Sequence, residues 1–223
     1  VTNYIMIAEA NPKFLWGAKK EFRQALAYCI DKKTLIDTLW AKDYADPLDV
    51  SVLQERYVKP DLKKYTYDPT KAKELLDSIN YDYDFEIAFN YYYSSKFWDD
   101  IMAAMQAQMS KCGLKVTPAL LDGPSWDQKF NKNWNNDQGF MLGVAGHGIP
   151  LFPDDHFVLF MKEYPEGRNV SGWRNSKFDE LVGQVKQATN EEERTKLYYE
   201  IEDILAEELP EIALWMPHRP PGV

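Results

Sequence analysis

The chain has 223 residues, 45% of them hydrophobic and 14% aromatic, enough apolar material for one substantial core or two small ones, which excludes disorder as its main character. Its 26 Lys and Arg stand against 35 Asp and Glu, and the net charge of −9 has the wrong sign for holding phosphate backbones, so nucleic acid is not an expected partner. The longest wholly apolar runs, such as residues 157–161, fall far short of the roughly 20 residues that cross a bilayer, and no transmembrane segment is expected.

Residues 1–5 show neither the basic start nor the apolar stretch of a signal peptide, and no initiator Met, as expected of a mature or excised piece. Phe22, Ala25, Leu26, Cys29 and Ile30 recur at helical spacing. Asp31 then stands where an N-cap would start a second helix carrying Leu35, Ile36, Leu39 and Trp40. Residues 44–66, with Pro47 and Pro60 and no sustained period, read as an extended connection over the surface. Helix resumes at Asp68-Pro69, because Asp accepts from orphan amides and Pro lacks the N–H that would need a partner; Ala72, Leu75, Leu76 and Ile79 form its buried face.

Tyr83, Phe85, Ile87 and Phe89 alternate with polar or small residues, the period of a strand with one face on a core. A helix is expected over 95–112, ended by a left-handed Gly113, and a second strand over 114–120; this strand–helix–strand order is a βαβ unit. After Gly123-Pro124 come a short helix at 126–131 and a third strand at 139–144. Helices at 176–188 and 191–209, the second capped by Asn190 and stopped by Pro210, precede a final strand bearing Ile212, Leu214 and Met216. Residues 1–223 thus read as one α/β lobe, an open sheet with flanking helices.

The three histidines, His147, His156 and His218, lie in separate segments without metal-ligand spacing, so no metal site or cofactor is expected. The Gly143–Gly146–Gly148 pattern lacks the dinucleotide fingerprint, and GxSxG and P-loop motifs are absent from the sequence. Cys29 and Cys112 have no CxxC spacing, fall on apolar helix faces and read as buried free thiols. Aromatic and glycine residues gather at the expected strand ends: Tyr91, Tyr92 and Tyr93 after the first, Trp126 after the second, and the loop 143–148 with Gly146 and His147 after the third. Ligands of open α/β sheets bind beyond the carboxyl ends of the strands, so these three loops should converge on one site. The rival reading from another class is a hydrolase acting on a bound sugar or peptide through Asp154, Asp155 or Glu163.

Four segments carry a family resemblance: residues 22–32, with Phe22-Arg23-Gln24-Ala25-Leu26-Ala27-Tyr28; residues 67–76, with Tyr67-Asp68-Pro69; residues 106–116, ending Cys112-Gly113-Leu114-Lys115-Val116; and the tail from Ser176-Lys177-Phe178-Asp179 through Arg194 to Leu209-Pro210. In order and spacing they resemble the C-terminal part of the family 5 extracellular solute-binding proteins, the peptide, nickel and oligosaccharide receptors of ABC importers. The resemblance implies one lobe of a type II periplasmic-binding-protein (Venus-flytrap) receptor, which closes by hinge motion on a small or short oligomeric ligand. It also implies no catalysis, a membrane permease as partner, and a location in the periplasm or lipid-anchored at the outer face of the cell membrane. In the family's peptide receptors the loop after the third strand holds a Trp and an Asp that pairs with the ligand's amino terminus. Val144 and His147 stand at those positions here, and no Arg lies between Asn90 and Trp98 to receive a carboxylate. The expected ligand is an oligopeptide or oligosaccharide, with an uncharged oligosaccharide slightly favoured, on a site of Tyr91, Tyr92, Tyr93, Trp126, Val144, Gly146 and His147.

Overall fold

Strand β1 (Thr2–Ile7) places Ile5 and Ile7 on one face and Tyr4 and Met6 on the other, as alternation requires, in a computed structural model that describes residues 2–40, 44–50, 54–148, 152–161 and 169–218. Helix α1 (Lys20–Tyr28) buries Phe22, Ala25 and Leu26. Helix α2 (Lys32–Leu35) starts where Asp31 accepts the Thr34 N–H, then widens into a π-type turn over Ile36–Trp40. The next stretch is more than a surface connection. It contains the edge strand β2 (Ala45–Pro47), while Tyr57 and Leu62 from the same stretch are buried. This order is supplied by distant partners, which a short aperiodic sequence does not reveal.

Helix α3 (Pro69–Ser78) has the expected Asp68 cap, which accepts the Lys71 N–H, with Pro69 in its first turn. Strand β3 (Glu86–Tyr91), helix α4 (Lys96–Lys111) and strand β4 (Lys115–Leu120) form the βαβ unit, β3 and β4 pairing in parallel from Glu86↔Lys115 to Tyr91↔Leu120. Ser95 caps α4, and Gly113 leaves it at φ +88°, a conformation that costs a side-chain-bearing residue free energy. Helix α5 (Gly123–Asp127), capped by Asp122, runs into a second π-type turn over Gln128–Lys132.

Strand β5 (Leu142–His147) begins three residues later than the expected third strand and takes in most of what reads as a loop. The cause is β1, which pairs antiparallel with all six residues from Thr2↔His147 to Ile7↔Leu142 and so extends strand geometry through the glycines. Helices α6 (Asp154–Phe157), α7 (Ser176–Val185) and α8 (Glu191–Glu208) follow. Asn175 and Asn190 cap α7 and α8, and strand β6 (Glu211–Pro217) closes the order.

The six strands are ordered β2-β6-β1-β5-β3-β4, parallel for β5-β3-β4 and antiparallel elsewhere. The fold is a mixed α/β sheet with flanking helices. One core joins the sheet to α1, α3 and α4 through residues such as Ile5, Phe22, Leu76, Phe89 and Met105; a second, under α7 and α8, holds Tyr57, Phe157, Trp173, Phe178 and Tyr198. The cysteines are not free. Cys29, at the end of α1, is disulfide-bonded to Cys112, at the end of α4, across 83 residues of sequence. The resemblance of both positions to core thiols hides this, since each is buried and spacing alone says nothing about a partner in another helix.

Candidate functional site

Sheet pairing builds the site from the inside. Tyr4 stands opposite Ala145 and Met6 opposite Gly143, so all four share one face of the sheet. Over Gly143 lies the ring of Phe130: a Cβ at Gly143 would fall 2.3 Å from its Cζ, so only glycine admits the ring this close. Phe130 is itself stacked, 3.6 Å from Trp126 and 4.0 Å from Phe140 between ring centroids. The row continues outward. Tyr92 lies 4.5 Å from Trp126, Tyr93 is stacked 4.3 Å from Tyr92, and Trp98 is stacked 4.4 Å from Tyr93. Aromatic faces therefore form a continuous wall along the carboxyl ends of β3 and β4.

This wall bounds a cavity of about 210 Å³, with Tyr4, Met6, Tyr92, Trp126, Asn131 and Gly146 around it. Among the described residues around it none is charged, and its polar side-chain groups are the phenols, the Trp126 indole N–H and the Asn131 amide. Burial pushes the Tyr4 phenol well above its usual range, with the Glu211 carboxylate and the Tyr93 and Tyr92 phenols adding to the effect, so this phenol stays neutral. Such a surface can stack on rings or alkyl stems and donate neutral hydrogen bonds.

Of the residues singled out in the sequence, Tyr92, Trp126 and Gly146 meet at this cavity. Tyr93 backs Tyr92 rather than lining it. Tyr91 is the last residue of β3 and is buried; its hydroxyl donates to Asp99 at 2.6 Å, and burial, aided by Asp99, pushes that phenol up to about 12. Val144 is fully buried on the opposite sheet face, across from Ile5. His147 ends β5 opposite Thr2, within the sheet rather than in a loop. The residues of the hydrolase reading do not assemble here: Asp154 accepts the Tyr198 hydroxyl at 2.5 Å beside the second core, Asp155 follows it in α6, and Glu163 lies outside the described residues. Tyr4, Met6, Phe130 and Asn131 escape the sequence reading. The alternation of residues 2–7 was the available signal for the first two.

Among the described residues there is no group of three His, Cys, Asp or Glu side chains that could hold a metal ion, and no helix is long and apolar enough to cross a membrane. The cavity thus lies on one face of a mixed α/β sheet, framed by aromatic strand ends. Residues 1–168 match the model of the bacterial extracellular solute-binding proteins, family 5, middle region, and the chain belongs to that family. A Brucella ovis protein named for ABC-transporter peptide binding is 27% identical over 98% of this chain and 42% of its own length. The oligopeptide-binding protein AppA of Bacillus subtilis, solved with a nonapeptide, superposes with a TM-score of 0.84 at 24% identity, over 97% of this chain and 44% of that one. A periplasmic oligopeptide-binding protein of Thermotoga maritima, solved with mannohexaose bound, gives 0.80 at 20% identity, over 96% and 43%. The chain spans less than half the length of these relatives.

Proposed function

We propose that this chain is one lobe of the solute-binding component of an ABC importer, which holds a short oligomeric ligand outside the cytoplasm, in the periplasm or on a lipid anchor, and delivers it to a membrane permease without chemical change. Family membership supports the class, and the cavity walled by Tyr4, Tyr92 and Trp126 is the observation that carries the site. The oligopeptide reading comes first, since the relatives are named for peptides and an acid, Glu211, lies close to Tyr4 on the cavity side of the sheet. An oligosaccharide is the second reading, favoured by the adjoining aromatic faces of Tyr92 and Trp126, which suit sugar rings. Native mass spectrometry of the full-length protein purified from its own host is the test. A peptide pool or a hexose ladder, released intact and weakened by Trp126→Ala or Tyr92→Ala, supports the reading; turnover of the ligand would overturn it.

A further inference from the structure

We infer that Gln106 and Pro118 close the outer edge of β4 to strand addition, and so keep this end of the sheet from pairing with a second copy of the chain. At one edge of the sheet, β2 is only three residues long, a poor template for a partner. At the other, β4 runs for six residues and is paired with β3 alone among the described strands. An edge of that length presents a row of backbone donors and acceptors on which another strand can form. Beside it lies an open groove of about 600 Å³, between Ala103, Gln106 and Ala107 of α4 and Lys115, Val116 and Thr117 of β4. Ala103 and Ala107 are exposed and short, so this face of α4 leaves room for an added strand.

The hydrogen bonds of β4 fix which of its groups point toward the groove. Leu121 donates its N–H to the Tyr91 carbonyl at 2.8 Å and so points into the sheet. In a parallel pair successive residues alternate between the two sides, which turns Lys115, Thr117 and Ala119 toward β3 and Val116, Pro118 and Leu120 outward. Two of the outward residues are blocked. Gln106 reaches across from α4 and donates its Nε2 to the Val116 carbonyl at 2.7 Å, which occupies the first acceptor of the edge. Pro118 has no N–H, and its ring stands where the central donor would be. Proline is tolerated in mid-strand here because its nitrogen faces away from β3. An incoming strand would meet an acceptor already in use and a missing donor, and its own groups opposite them would be left without partners on burial.

Sedimentation velocity of the full-length protein tests this with the double variant Gln106→Ala, Pro118→Val. The wild type should stay monomeric, whereas the double variant should self-associate at least about tenfold more tightly, with new exchange protection at the amides of residues 116, 118 and 120. Adding Leu120→Pro, which takes away another outward donor, should return the monomer. A double variant that folds and sediments as the wild type does at every concentration would overturn the inference. So would association that survives Leu120→Pro, since it would run through another surface. Amide exchange on the wild type decides the matter even where the double variant does not fold. Leu120, facing outward, should exchange far faster than Leu121, which is bonded to Tyr91, and equal protection of the two would show the edge already paired and sink the inference.

Discussion

Glu202 lies in α8 with no exposed surface; one carboxylate oxygen accepts the Lys59 N–H at 2.6 Å and the other has no partner among the described residues. Burial pushes it up to about 7, against the pull of the Lys59 N–H. Glu9 behaves alike: burial pushes it up to about 8 although the Arg23 guanidinium lies 3.1 Å away. In the unfolded chain both titrate near 4.5. Between that pH and 7 to 8 the folded state therefore keeps protons that the unfolded state has lost, and stability falls as pH rises through this window. Glu207 has the opposite sign. Despite partial burial, its pairs with Lys63 and Lys20 bring it down to about 2, a contribution complete above about 4.5 and lost as pH falls toward 2. Urea unfolding at pH 5.5 and pH 8 should show lower stability at pH 8, and Glu202→Gln should shrink the difference by about 2 kcal/mol. An unchanged difference in that variant would show that Glu202 does not titrate in this range.

Helix starts were legible because a cap is a local device: Asp31, Asp68 and Asn190 each accept an N–H three residues on, within one stretch of sequence. Strands at the sheet centre were less so. β1 takes its order from β5 and β6, the start of β5 is set by β1, and the site draws on β1, β5, the loops after β3 and β4, and the segments around Leu159 and Val170. Only the parts at helix or strand ends could be read in advance, which is why Tyr92 and Trp126 were singled out and Tyr4, which lines the same cavity, was not. The Gly143–Phe130 contact shows how tightly these elements are joined. Gly143→Ala should displace Phe130, cost about 1–3 kcal/mol, and shift the Trp126 fluorescence; an unmoved spectrum would mean that the turn yields elsewhere. The disulfide is a second such joint. Cys112→Ser should cost about 2–4 kcal/mol in unfolding free energy, and a reductant should lower the melting temperature of the wild type but not of the variant. A bridge that holds in this way also fits an oxidising compartment.

At the scale of the molecule, burial and recognition separate. The sheet core is completed by this chain's own elements: Ile5 of β1, Leu142 and Val144 of β5, and Leu214 and Trp215 of β6 have no exposed surface. The central position of β1 and β6, adjacent in the sheet, joins the two ends of the described chain in one core. Folding of the 223 residues by themselves is therefore expected, with a single cooperative transition through the main core. Recognition is a different matter, because the aromatic cavity is bounded on one side of the sheet only, and a binding site gains affinity by burying most of its ligand. If this chain is one lobe of a receptor about twice its length, as the spans of its relatives suggest, ligand bound to it alone keeps much of its surface in water while losing the same translational freedom. Several kcal/mol should then be missing, a loss of about a hundredfold or more in affinity. Calorimetry of one ligand against the chain alone and against the full-length protein measures this directly. Equal affinities would place the whole site on this chain, and the two-lobe reading would fail while the fold and family would stand.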